Sequence, residues 1–166
     1  MPNSVKKIIS GGQTGVDRAA FDFALEFGIE IGGYVPRGRM AEDGRIPDQY
    51  SGLIETDSED SAERTQLNVM HSDATLILVS RDLSGGTKLT ETFARTTRKP
   101  LLVIGFAELS VDEAVRTLND WLTAVKPKVL NIAGPRASEV PEVYDLAFQL
   151  LDRAFFGGRY AQEGRH

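Results

Sequence analysis

The stretch Ile8-Ile9-Ser10-Gly11-Gly12-Gln13-Thr14-Gly15-Val16-Asp17-Arg18 decides the fold. An apolar run leads into a turn with three glycines, and the turn leads into residues that recur at helical spacing. Val16, Ala19, Ala20, Phe23, Ala24 and Phe27 form one apolar stripe, and Gly28 ends it. A strand, a glycine turn and a helix start in that order make an anion site. The glycines let the backbone bend tightly, and the unpaired N–H groups of the first helical turn point at whatever sits in front of them.

Outward from this stretch the chain alternates. Val5 to Ser10 reads as a buried strand and Glu30 to Val35 as a second. Residues 36–50 show no period and read as a long loop, of the kind that is functional or mobile. Leu53 to Glu55 is a short strand, Ser61 to His71 a helix, and Ala74 to Ser80 a strand centred on Leu76-Ile77-Leu78-Val79. A second glycine turn, Ser84-Gly85-Gly86-Thr87, opens a helix from Thr87 to Arg98. Leu101 to Ile104 is a strand, and Ser110 with Glu113 forms a capping box for a helix ending at Val125. Val129 to Ile132 leads into a third turn, Ala133-Gly134-Pro135-Arg136. Pro141 is placed to start the last helix, which Tyr144, Ala147, Leu151, Ala154 and Phe155 pack down. Residues 1–156 form one domain, and 157–166 read as a flexible tail.

Apolar strands alternating with helices imply an α/β fold in three layers: a mostly parallel, Rossmann-like sheet with helices on both faces. Such sheets bind ligands beyond the strand C-termini, and all three glycine turns fall there.

Composition narrows the chemistry. The 166 residues carry a net charge of −5, which argues against a nucleic-acid partner. With no cysteine and only His71 and His166, neither a thiolate site nor a dedicated zinc or iron cage is expected. No apolar run reaches membrane-spanning length and no leader precedes the first strand, so the expectation is a cytoplasmic protein without membrane contact.

In the first turn, Gly11, Gly12, Gln13, Thr14, Gly15 and Arg18 offer donors to an anion. Asp17 would repel phosphate; it tethers an arginine, favours the positive helix end or contacts a ribose hydroxyl. In the second, Ser84, Gly85, Gly86, Thr87 and Thr90 repeat the pattern. Glu91 is there either to satisfy the helix dipole or to act on a ligand, as ribose contact or general acid/base. In the third, Gly134 and Arg136 offer a fork for phosphate or carboxylate, unless Arg136 is a solvated arginine. Arg37 and Arg39 either close over a bound anion or form a solvated charge run. Arg64, Asn68 and His71 share one side of a helix that faces either solvent or the crevice.

Taken together, Ser10 to Arg18, Pro36-Arg37-Gly38-Arg39-Met40-Ala41-Glu42-Asp43-Gly44, Ile46-Pro47, Arg64-Thr65, Asn68-Val69, Ser72-Asp73-Ala74-Thr75, Ser84 to Thr87 and Leu130 to Arg136 carry a resemblance. Over about residues 5 to 155 the chain resembles the molybdenum carrier family, the circularly permuted YpsA-like branch of the SLOG superfamily. The resemblance implies a Rossmann-like fold similar to lysine-decarboxylase-like proteins, cytokinin-activating phosphoribohydrolases and a molybdenum cofactor carrier. It further implies a crevice for nucleotides or phosphate-bearing heterocycles at Gly11 to Gly15, Gly85 to Thr87 and Gly134 to Arg136. The phosphoribohydrolases have a P-G-G-x-G-T-x-x-E signature. Here Ser84 to Glu91 lacks its proline and third glycine, and its glutamate stands closer to the glycines.

Three functions follow as expectations. The first is a carrier or sensor that binds a nucleotide derivative or molybdenum cofactor, with no metal held by side chains. The second is a nucleotide N-glycosidase using Glu91. The third is a protein-interaction scaffold without a small ligand. Each leaves room for a homo-oligomer.

Overall fold

The computed structural model describes residues 4–158. The elements are β1 (Lys7–Ile9), α1 (Val16–Glu26), β2 (Glu30–Val35), β3 (Met40–Ala41), β4 (Gly44–Arg45), β5 (Leu53–Glu55), α2 (Ser61–Met70), β6 (Ala74–Val79), α3 (Gly85–Thr97), β7 (Leu101–Gly105), α4 (Val111–Val125), β8 (Val129–Ala133) and α5 (Val143–Phe156). Six strands form one parallel sheet in the order β5-β2-β1-β8-β6-β7. The expected three-layer α/β architecture is what the chain adopts. All six residues of β6 are buried, as a strand covered on both faces requires.

The order of the strands follows from the handedness of the crossovers. β1 to β2 and β7 to β8 run one way across the sheet; β5 to β6 and β6 to β7 run the other. Right-handed crossovers therefore send α1 and α4 to one face and α2 and α3 to the opposite face. α5 packs on α1 and α4, and α2 packs on α3, as this predicts. The direction of exit changes between β8 and β6, so a crevice opens there at the strand C-termini. Register aligns the exits: Ile9 pairs with Asn131, and Ala133 pairs with Ile77.

The core has an aromatic centre between α1 and α5. Phe23 and Phe155 are buried and meet edge to face at 5.1 Å, and Phe27 stacks on Phe156 at 4.4 Å. Asp22 joins the same helices to the 36–50 segment, accepting hydrogen bonds from Tyr50 (2.6 Å) and Tyr144 (2.5 Å).

Several expectations need correction. The 36–50 segment is not one irregular loop; it holds the antiparallel hairpin β3–β4, whose two-residue strands are too short to show a period. α3 begins at Gly85 rather than Thr87, with Ser84 as N-cap. Pro141 stands before α5 instead of starting it: Val143 donates to the Val140 carbonyl, which makes 140–143 a turn, and Glu142 is the N-cap. At the boundary of the expected tail, Gly157 and Gly158 close α5. Gly157 takes φ 66°, and the two amides donate to Arg153 and Asp152 carbonyls. The rest of the expected tail lies outside the described residues.

Ser110 caps α4 as expected, its hydroxyl accepting from the Glu113 amide at 3.1 Å. No helix among the described residues is long and apolar enough to cross a membrane.

Candidate functional site

A cavity of about 310 Å³ lies at the change of direction between β8 and β6. Ala133, Gly134, Pro135 and Arg136 line it from the turn after β8, and Ser84, Gly85, Gly86 and Thr87 from the turn after β6. Gln13 and Asp17 reach it from the turn after β1. Ser61, Arg64 and Thr65 of α2 close the side formed with α3, where Thr90 also contributes. The three glycine turns thus meet on one rim of the sheet.

Two glycines make that meeting sterically feasible. Gly15 has φ +81°, and a β-carbon there would stand 2.4 Å from the Pro135 carbonyl oxygen. At Gly134 it would stand 2.4 Å from the Leu78 carbonyl oxygen and from Val16. Only bare backbone lets the ends of β1, β8 and β6 lie this close.

The turn after β1 is satisfied by the protein itself. Asp17 is buried, and its Oδ2 accepts from the Gln13 amide (3.1 Å) and from Arg64 Nη1 (3.4 Å). Burial pushes its carboxyl above the ordinary value, against the lowering effect of the Arg64 charge. Of the roles open to Asp17, tethering an arginine and standing at the positive end of α1 are both seen. Gln13 Oε1 accepts from the amides of Thr14 (3.0 Å) and Glu42 (2.9 Å). Arg18 donates from Nε to the Gly12 carbonyl (2.7 Å) and forks onto Asp43 with two bonds of 3.0 Å. The Thr14 hydroxyl donates to Glu42, and Gly12 packs against Ile46. Accordingly Gly11, Gly12, Thr14, Gly15 and Arg18 shape the rim without lining the cavity.

The turn after β6 is different. Ser84 makes no side-chain cap bond; its carbonyl accepts from the Thr87 and Lys88 amides, which leaves the amides of Gly85 and Gly86 at the cavity-lining start of the thirteen-residue α3. Glu91 lies a turn and a half along α3, paired with Lys88 (2.8 Å) and Arg95 (3.3 Å) and not lining the cavity. The Lys88 hydrogen bond holds its carboxyl below the ordinary value.

Arg136 lines the cavity with its Nε on Glu139 (2.8 Å). Arg37 and Arg39 do not line it. Arg37 is exposed and 3.5 Å from Glu59, and Arg39 braces its own loop by donating to the carbonyls of Ile46, Pro47 and Tyr50.

Of the expected site residues, Gln13, Ser84, Gly85, Gly86, Thr87, Thr90, Gly134 and Arg136 come together around the cavity. Arg64 and Asp17 join them. Of the stripe Arg64, Asn68 and His71, the first two face inward: Asn68 grips the Tyr34 backbone through both amide atoms (2.7 and 3.0 Å), whereas His71, the C-cap of α2, is exposed beside the Tyr34 ring. The spacing put Arg64 on that stripe, but only the docking of α2 against α3 and β2 aims it into the crevice. Arg64 Nε is buried without a hydrogen-bond partner. Among the described residues no three His, Cys, Asp or Glu side chains form a group that could hold a metal.

Residues 8–155 match the circularly permutated YpsA SLOG family. A crystal structure from Syntrophus aciditrophicus SB, named "Putative molybdenum carrier protein", is similar at 46% identity over 92% of this chain and 96% of that one, with a TM-score of 0.90. No match exists among curated proteins. The chain belongs to the circularly permutated YpsA SLOG family.

Proposed function

We propose that this protein is a binding module, a carrier or sensor for a phosphate-bearing heterocycle such as a nucleotide derivative or the molybdenum cofactor. The observation that carries the reading is the uncapped N-terminus of α3 facing Arg136 and Arg64 across the cavity. A phosphate takes the amides of Gly85 and Gly86 and the positive helix end, with Arg136 as its counter-charge. The heterocycle extends toward Gln13, Asp17 and Arg64, where a carboxylate and a guanidinium offer an acceptor and a donor.

The cavity volume is at the small end of ligand sites, which run from roughly 300 Å³ upward, so one heterocycle with one phosphate suits it better than a dinucleotide. The donor set of hydroxyls, amides and guanidinium groups fits the phosphate and pterin of a molybdenum cofactor. Neither cysteine nor histidine lines the cavity, so the metal would travel in the cofactor's own chelate as cargo. The name of the Syntrophus relative supports the same reading. The partner is then a small molecule, met in the cytoplasm; a net charge of −5 offers no general footprint for nucleic acid.

Gly86→Asp tests the site. A β-carbon at Gly86 meets nothing within 4 Å, so the variant folds while setting a carboxylate at the anion end of α3. Calorimetry with nucleoside 5′-monophosphates and molybdopterin should show binding to the wild type and its loss in the variant, with no free base released. Base release from a bound monophosphate, or the absence of binding by every compound, would overturn the carrier reading.

A further inference from the structure

The tip of the β3–β4 hairpin lies over the rim of the cavity, and one of its carboxylates is held like a ligand. Glu42 Oε1 accepts from the Thr14 hydroxyl and from the Ser138 amide (3.1 Å), and its Oε2 accepts from the Ser138 hydroxyl (2.5 Å). The Arg136 guanidinium stands 3.7 Å from the same carboxylate. Two turns from opposite ends of the chain, after β1 and after β8, therefore direct their donors at one anion that neither of them supplies. Arg136 Nε donates to Glu139 and is too far for a hydrogen bond to Glu42, so three donors from the two turns hold the carboxylate and the guanidinium adds its charge beside it. Hydrogen bonds from Ser138 and Thr14 hold the Glu42 carboxyl below its ordinary value, so the occupant is charged.

We propose that Thr14, Ser138 and Arg136 form a phosphate subsite that the chain fills with its own Glu42 carboxylate, making the 40–45 hairpin a latch that an incoming phosphoryl group displaces. This rests on the reading that phosphate-bearing ligands enter at this rim. Arg136 belongs to both the subsite and the cavity wall, and Gln13 lines the cavity while holding the Glu42 amide, so a ligand in the cavity bears on the latch directly. The hairpin has a second anchorage that survives release. Asp43 stays forked on Arg18, and Ile46 stays fully buried with its amide on the Arg39 carbonyl. Glu42 can swing away while the base of the hairpin holds.

The test uses inorganic phosphate on the full chain, in the wild type and in the Gly86→Asp background where the α3 site is blocked. Glu42→Ala should bind phosphate about tenfold more tightly in both backgrounds, because a tethered competitor lowers the fraction of competent sites. Glu42→Gln should gain in the same direction, which covers the case of a poorly folded alanine variant. Adding Thr14→Val to Glu42→Ala should cancel the gain. Asp48→Asn, which removes an equal charge from the same segment, should produce none. In the wild type, phosphate should speed hydrogen exchange at amides 40–45. Unchanged or weaker phosphate binding on removing Glu42, or unchanged exchange at the hairpin, overturns the latch. Nucleotide binding lost in Gly86→Asp, with no gain from Glu42→Ala, would leave the carrier reading standing and remove this one. A gain from Glu42→Ala together with base release from a bound monophosphate would leave the latch standing and remove the carrier reading.

Discussion

Arg64 Nη1 donates to Asp17 Oδ2 at 3.4 Å and occupies the space beside Gly11, where a β-carbon would lie 1.3 Å from that nitrogen. One arginine from α2 thereby neutralises a buried carboxylate on α1 and fills a gap in the glycine turn at the same time. Two residues 47 positions apart become one wall of the cavity.

Removing Arg64 should make stability depend on pH. Asp17 already titrates above its ordinary 3.8 because it is buried, and loss of its counter-charge pushes it further up. A carboxyl whose folded value is raised loses stability as pH rises from the unfolded value through the folded one. Arg64→Met should therefore cost about 3 kcal/mol at neutral pH, as expected when one member of a buried pair is removed. Urea melts should show a smaller deficit near pH 5 than near pH 8.

Gly11 and Gly15 should separate binding from folding. At Gly11 a methyl group meets the movable end of Arg64, so Gly11→Ala should fold but shift Arg64 and weaken ligand binding. At Gly15 it meets the Pro135 carbonyl at a φ of +81°. Gly15→Ala should cost roughly 3 kcal/mol or more, the range of a backbone clash combined with left-handed strain. Thermal melts of the two variants side by side decide it.

The hairpin should loosen in acid. Hydrogen bonds from Ser138 and Thr14 hold Glu42, and hydrogen bonds from Arg18 hold Asp43, below their ordinary values of 4.5 and 3.8. Their contribution is complete above those values and is lost as pH falls through the lower folded ones. Amides 40–45 should lose protection at acid pH earlier than the core of β6, and Asp43→Asn should show the loosened state at neutral pH. Hydrogen exchange read by mass spectrometry measures both.

Asp22 should control two tyrosines. Burial and the Asp22 carboxylate push Tyr50 up to about 12, and move Tyr144 upward for the same two reasons. The folded protein keeps both phenols protonated after the unfolded chain has begun to ionise near 10, so stability declines from that point upward. Asp22→Asn should bring the phenolate absorbance transition back toward the ordinary value. It should also cost about 1.5–3 kcal/mol, the range for a hydrogen bond to a charged group.

Glu91 should be dispensable for binding. It is paired along its own helix with Lys88 and Arg95 and does not line the cavity. Glu91→Gln should leave monophosphate affinity unchanged in calorimetry and lower the melting temperature only slightly, since both partners are largely exposed.

The amino-acid sequence determined the layers, the helix and strand types and the three turns. Those depend on neighbours a few residues apart: the Val16 to Phe27 stripe, the apolar run of β6, the glycines that permit sharp exits. Convergence of the turns was also legible, because parallel strands joined by right-handed crossovers must end on one rim. What fills the rim was not legible. A glycine turn announces unpaired amides, but it says nothing of carboxylates delivered from elsewhere: Glu42 and Asp43, with Asp17 of the same stretch, take up much of what the turn after β1 offers. The β3–β4 hairpin left no period in the sequence, and Arg64 gained its place only through the rotation of α2 as it packed. Local spacing fixes which backbone groups exist. Only packing across the whole chain decides which of them remain open to a ligand.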